Sequence, residues 1–81
     1  MNDVLKSNQI AYTKLNDRII STVKLPFAHG IYMYETMMYH PVSGEFDDYQ
    51  QRYINEDDAL LGHIDAVAFI IGYEEKVDNG L

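Results

Sequence analysis

Three turn-forming segments constrain the fold of this chain more than any other feature. They are Asn16-Asp17, Ala28-His29-Gly30 and residues 41–45, and each is rich in residues that suit tight turns. The four runs around them are rich in β-branched and aromatic residues and cover positions 10–15, 18–27, 31–40 and 46–54. This succession predicts an antiparallel meander of three to four strands.

The third run predicts which side of the sheet is buried. Its odd-numbered residues, from Ile31 through Glu35 to Tyr39, form the better core candidate, because side chains alternate between the two faces of a strand. Glu35 is then the one charged residue on the predicted core face. Pro26, which lacks an N–H group, predicts that the second strand ends there or lies at an edge.

A single helix is predicted over residues 56–75. Asn55 is suited to cap it, and residues 56–58 are acidic, which the helix dipole favours in a first turn. Residues at three- and four-residue spacing then form one broad, mainly apolar stripe: Leu60, His63, Ile64, Val67, Ala68 and Ile71. We expect this stripe to cover one face of the sheet, with Gly62 off its centre. The predicted class is therefore α+β, with one C-terminal helix packed on an antiparallel sheet.

The 81 residues are predicted to form one domain, with residues 1–8 frayed and residues 77–81 irregular. A chain of this size buries about 60% of the surface that its unfolded form exposes, so the core is thin. The absence of cysteine excludes disulfides and thiolate zinc sites and favours a cytoplasmic location. The longest apolar run, residues 66–71, is too short to span a membrane, and we expect no membrane association.

The net charge of −7 is concentrated in the second half of the chain. Up to His40 four basic residues stand against three acidic ones, whereas the ten acidic residues after it stand against only Arg52 and Lys76. This charge repels phosphate backbones, which argues against direct nucleic-acid binding, and attracts basic protein surfaces. It also serves solubility.

No group of residues has the spacing of a catalytic, cofactor or metal site. The three histidines are scattered, and the chain has no nucleophile elbow, glycine-rich phosphate loop or EF-hand loop. The acidic groups Asp47-Asp48 and residues 56–58 invite a cation or acid–base chemistry, but helix capping explains the second group. We therefore predict that the protein is not an enzyme and needs no cofactor or metal.

Two polar residues fall at positions predicted to be buried, Glu35 in the third strand and His63 on the helix stripe. Either one would destabilise the fold if it were buried without a partner. We expect them to face one another and to hydrogen-bond, directly or through a water or backbone group. The alternative is that His63 is an ordinary core histidine with another partner.

Partner binding is predicted at two surfaces. The first is acidic and comprises Asp47, Asp48, Glu56, Asp57 and Asp58. The second is an apolar spot at Leu61 and Phe69, which lie off the predicted stripe and could contact a foreign protein or a second copy in a homodimer. The tyrosines of the third and fourth strands either pack across strands or form a small-molecule platform.

Short motifs in the C-terminal half carry one resemblance. Glu35-Thr36-Met37 lies in a strand, Tyr53 ends the next strand, and Ala59, Gly62 and His63 form an Ala-x-x-Gly-His pattern in the helix. In these motifs the chain resembles small proteins of unknown function from tailed phages and prophages. The resemblance implies a phage or prophage context, and it carries over no functional residue.

Small acidic phage proteins often bind a host protein, so this resemblance implies an accessory role. We expect a protein that binds, and can inhibit, another protein through its acidic surface, with a basic host protein as a natural partner. The alternative is a structural or assembly protein that self-associates without a host target.

Overall fold

The structure, a computed structural model, describes residues 8–80, and at residues 48 and 73–80 it describes the backbone alone. Its elements are β1 (Gln9–Lys14), β2 (Ile19–His29), β3 (Tyr32–Tyr39), β4 (Phe46–Tyr53) and α1 (Glu56–Gly80). The strands form one antiparallel sheet in the order β1-β2-β3-β4, and α1 packs against one face. The predicted α+β meander with a C-terminal helix is confirmed.

Tight connections hold neighbouring strands in register. Between β1 and β2 the Leu15 amide donates to the Arg18 carbonyl at 2.8 Å. Gly30 lies in the two-residue connection between β2 and β3 with a φ of 64°, a conformation that glycine adopts without steric cost. The β3–β4 connection closes with the Gly44 amide donating to the His40 carbonyl at 2.7 Å. Each turn segment read from the sequence thus reverses the chain.

Pro26 does not end its strand, and β2 is a central strand, so this part of the prediction is wrong. β2 continues to His29, but its pairing with β3 is irregular between Lys24 and His29. On its other side, the pairing with β1 reaches only as far as Val23. The missing N–H of Pro26 therefore falls where no regular ladder requires it.

The helix begins as predicted and ends later. The Asp58 amide donates to the side-chain oxygen of Asn55 at 2.9 Å, and this bond caps α1. The helix continues to Gly80, so the prediction of an irregular tail is wrong for residues 77–80. Residues 1–7 and residue 81, which were also predicted to be frayed or irregular, lie outside the described residues. The later end has a physical reason, since no proline interrupts the segment and glycine commonly follows a helix.

The even-numbered side of β3 faces the helix, which overturns the predicted parity. Met38 clusters with Ile20 of β2 and with two helix residues, Ala66 and Ile70. Thr36 lies on the same side because it pairs with Thr22, whose hydroxyl hydrogen-bonds the helix residue His63. Side chains alternate along a strand, so the odd-numbered residues point to the other face of the sheet.

The helix is rotated relative to the prediction by about 100°, the angle of one residue. The residues that contact or face the sheet form an inner stripe: Ala59, Gly62, His63, Ala66 and Ile70. Leu60, Ile64 and Ile71 were expected to be buried and are exposed instead, and Ile64 is 63% exposed. Three residues of the inner stripe, Ala59, Gly62 and Ala66, are small and let the helix backbone approach the sheet closely, whereas Leu or Ile at these three positions would hold it away.

Gly62 shows how close this approach is. A Cβ atom at position 62 would collide with the ring of Tyr53 at the end of β4. Gly62 is therefore a contact point between the helix and the sheet, whereas the prediction put it off the centre of the packed stripe. No helix within residues 8–80 is both long enough and apolar enough to cross a membrane.

Candidate functional site

The outward side of α1 carries a continuous run of exposed apolar residues between positions 60 and 71. We call it the outer stripe, and it consists of Leu60, Leu61, Ile64, Ala68 and Ile71, all exposed. These positions recur at three- and four-residue spacing, so they lie along one side of the helix. Phe69 is also exposed, but its ring contacts Tyr49 of β4 with 5.8 Å between ring centroids. Phe69 therefore lies at the edge of the exposed side of the helix, where α1 meets β4.

The residues of the predicted acidic surface do not lie together. Asp47 lies near the start of β4 and accepts a hydrogen bond from the Arg18 side chain at 3.1 Å. Glu56, Asp57 and Asp58 begin the helix after the other end of that strand. At about 3.3 Å per strand residue, the two groups are roughly 20 Å apart. The side chain of Asp48 lies outside the described residues.

The first turn of α1 is the acidic group that stays open to solvent. Glu56, Asp57 and Asp58 are all exposed. Glu56 precedes Leu60, and Asp57 precedes Leu61, by one helical turn, so these carboxylates extend the outer stripe at its N-terminal end. The helix dipole also stabilises them there. Asp65 is exposed and borders the same stripe, four residues after Leu61.

His63 is held by a chain of threonine hydroxyls in the core. Its Nδ1 lies 2.8 Å from Oγ1 of Thr22, and its Nε2 lies 2.9 Å from Oγ1 of Thr13. Thr22 in turn hydrogen-bonds Thr36 at 2.5 Å. A neutral imidazole has one N–H donor and one acceptor nitrogen, so it can donate a hydrogen bond to one hydroxyl and accept one from the other. Every buried side-chain N and O atom in the described part of the chain has a partner.

The predicted contact between Glu35 and His63 is wrong. The Glu35 carboxylate accepts hydrogen bonds from Gln50 at 2.5 Å and from Arg52 at 3.0 Å, and both partners belong to β4. Glu35 pairs across the ladder with Arg52, on the face of the sheet that points away from α1. Each buried polar residue therefore has its own partners on its own side, and His63 is the core histidine of the alternative interpretation.

A hydroxyl beside an imidazole is also the arrangement that activates a nucleophile, which raises the question whether Thr22 and His63 could act on a substrate. Thr22 is 0% exposed and His63 is 6% exposed, and a substrate could not reach either hydroxyl or ring without opening the core. The arrangement instead fixes the position of α1 on β1 and β2. Within the described side chains, no three His, Asp or Glu groups come together in a way that could hold a metal ion.

Burial lowers the pKa of His63 below its usual value of 6.5. The ring is hydrogen-bonded by two uncharged threonines, Thr13 of β1 and Thr22 of β2, and its neighbours on the inner stripe are apolar, so desolvation lowers the pKa without a carboxylate to offset it. The unfolded chain then binds this proton more readily than the folded chain does. The contribution of neutral His63 to stability is fully present above the pKa that this residue has in the unfolded chain, about 6.5. It is lost as pH falls through that value toward the lower pKa of the folded chain.

We expect the free energy of unfolding to decrease between about pH 7.5 and pH 5 for this reason. Urea unfolding at a series of pH values measures it. His63→Gln, which keeps hydrogen-bonding capacity but does not titrate, should flatten the decrease, while His29→Gln at an exposed position should leave it unchanged. Equal slopes in the two variants would contradict the assignment to His63.

Sequence reasoning missed the threonines and Arg52. Thr13, Thr22 and Thr36 share one face of three neighbouring strands, and aligning the predicted hairpins residue by residue would have brought them together. Arg52 stands directly opposite Glu35 in the β3–β4 ladder only because the register shifts between Met37 and Tyr39, so counting outward from the predicted turn does not indicate this pair. The sequence pattern includes four residues of the outer stripe, Leu60, Ile64, Ala68 and Ile71, but assigns them to the core, whereas Leu61 is predicted to be exposed and is exposed.

Comparison of the chain with protein-family models, with curated proteins and with solved structures found no match.

Proposed function

We propose that this chain is a non-enzymatic accessory protein, from the phage or prophage context that its motifs imply, which binds another protein. Inhibition follows where the bound surface is one that the target needs for its own activity, such as a basic groove for nucleic acid. The observation that carries the proposal is the outward side of α1, where exposed apolar residues and exposed carboxylates lie side by side. An apolar surface with a charged border is typical of protein interfaces.

The electrostatic part of the proposal now rests on the first turn of α1. Asp47 is already paired with Arg18, so its substitution would disturb the fold as well as the surface. Asp57 is exposed and beside the outer stripe, which makes it the better position to test. An acidic surface attracts a basic partner, and salt weakens this attraction between exposed charges.

We expect Asp57→Lys to weaken binding to a purified bacterial partner by about threefold to tenfold and to reduce the salt dependence of that binding. Glu45→Lys is the matched control, because it changes the net charge equally at an exposed loop position away from the helix. The measurement is the Kd of each variant at low and high salt, with circular dichroism to confirm folding. A partner bound equally well by both variants, at every salt concentration, would contradict the electrostatic contact.

A second candidate function is self-assembly, and the outer stripe also favours it. Two copies could bury these residues against each other, since helices pack through such apolar ridges. Sedimentation equilibrium at micromolar concentration distinguishes the candidates. A dimer that Ile64→Lys dissociates would support the structural or assembly role.

A further inference from the structure

We propose that the outer stripe binds an amphipathic helix of the partner, one whose apolar face is bordered by lysine or arginine. This inference rests on the proposed function and adds to it the site and the chemical class of the ligand. It follows from the length and shape of the stripe and from the charges around it.

The outer stripe is long and straight enough to receive a helix. From Leu60 to Ile71 it follows the axis of α1 over twelve residues, and the eleven steps between them, at 1.5 Å each, span about 16 Å or three turns. Ala68 lies between the larger Ile64 and Ile71 and leaves a recess between them. A ridge of side chains on one helix that enters such a recess on another is the usual basis of helix packing.

The energy of covering the stripe is substantial. Leu61 and Ile64 each expose more than half of their surface, and Leu60 and Ile71 expose more than a third. Burial of a leucine or isoleucine side chain contributes about 1.5–3 kcal/mol when it is complete. The inner stripe, by contrast, is built mainly from small residues. Most of the large aliphatic side chains of residues 56–72 are therefore exposed in the described fold and are available to contact a partner.

The charges decide between a second copy and a basic partner. Residues 56–72 contain four acidic residues and no lysine or arginine. Glu56 and Asp57 lie at one end of the outer stripe, and Asp65 lies along its side. A second copy would offer these carboxylates no positive charge in either orientation, because residues 56–72 contain none, whereas a helix bordered by lysine or arginine would pair with them. The stripe therefore fits a basic amphipathic helix.

A synthetic peptide tests this directly. The chain contains no tryptophan, so a single tryptophan on the apolar face of the peptide reports binding through its own fluorescence. The probe is a helical peptide with leucines at three- and four-residue spacing and lysines beside them. Two controls have the same length: one replaces the lysines with glutamate, and one keeps the composition but scrambles the order.

We expect the patterned basic peptide to bind with a blue shift of its emission and the two controls to bind at least tenfold more weakly. Ile64→Lys should weaken binding of the basic peptide at least tenfold. Val42→Lys, at a loop position that is 99% exposed and away from the helix, should leave the affinity unchanged although it adds the same charge.

Any of these results would overturn the inference: equal affinities of the Ile64→Lys and Val42→Lys variants, equal binding of the patterned and scrambled peptides, or a dimer that covers the stripe and that Ile64→Lys dissociates. A purified partner that binds the Ile64→Lys variant as tightly as the unaltered protein would also overturn it, while leaving the proposed function intact. Failure of the proposed function has a different signature, namely that no protein binds in a salt-dependent manner.

Discussion

Replacement of Ile20 by alanine is expected to lower the free energy of unfolding by about 2–5 kcal/mol. Ile20 is 0% exposed and lies at the centre of the core cluster with Met38, Ala66 and Ile70. Removal of three carbons there loses their burial and leaves a cavity that the sheet and the closely packed helix cannot close. Since the whole stability of a domain of this size is only a few times larger than the expected loss, part of the population should unfold at elevated temperature.

Ile64→Ala is the matched control for this change, because it removes the same atoms from the outer stripe. We expect it to alter the free energy of unfolding by no more than about 0.5 kcal/mol, since surface substitutions have small effects and alanine favours helix. Urea unfolding of both variants gives the comparison. If Ile64→Ala cost as much as Ile20→Ala, the helix would present the side that the apolar pattern first suggested, or a second copy would cover the stripe.

Replacement of Ala66 by leucine is expected to destabilise the fold by about 1–3 kcal/mol, for the opposite reason. Ala66 is 0% exposed and faces Ile20 and Met38 across the interface between helix and sheet. The added side chain has no space there, so the helix must move outward. This movement would also stretch the hydrogen bonds from His63 to Thr13 and Thr22.

Ala68→Leu makes the same chemical change on the outer stripe, where space is open. Leucine and alanine have similar helix propensities, so the stability should stay within about 0.5 kcal/mol of the unaltered protein. The two midpoints of urea unfolding decide the matter. Equal losses at positions 66 and 68 would mean that small residues are not what sets the distance between helix and sheet.

The strands and the start of the helix could be predicted from local sequence because local chemistry determines them. Asn55 caps the helix where the acidic turn begins, and the predicted fourth run differs from β4 by one residue at its end. The turn glycines Gly30 and Gly44 adopt backbone angles that other residues avoid. Each of these features depends on a few neighbouring residues.

The packed faces could not be predicted in the same way. Alpha-helical periodicity identifies an apolar side, but α1 has two such sides, and the one with the larger residues points outward. Ala59, Gly62 and Ala66 give a weak apolar signal, yet their small size is what lets the helix approach the sheet. In β3 the two faces are similarly apolar, and Thr36 is less apolar than Met37, so the pattern favours the odd-numbered face. Thr36 is nevertheless buried because its hydroxyl has a hydrogen-bond partner in Thr22.

The candidate site was predictable in part. Leu61 and Phe69 were recognised as exposed, and the acidic first turn was recognised as a surface feature. Their relation to one another was not, because it depends on the rotation of the helix. The separation of Asp47 from the start of the helix follows from the length of β4, which the sequence indicates as a run of strand-forming residues.

The order of the strands also has a kinetic consequence. Every strand pairs with the strand that precedes it, so each hairpin can form on its own within microseconds, without waiting for distant parts of the chain. The contacts of His63 are different, because its partners lie 41 and 50 residues away. These bonds close only when the helix reaches a sheet that already holds β1 and β2 together. If these bonds are absent from the folding transition state, their loss should leave the folding rate unchanged and speed unfolding, so we expect the threonine and histidine chain to lengthen the lifetime of the folded state.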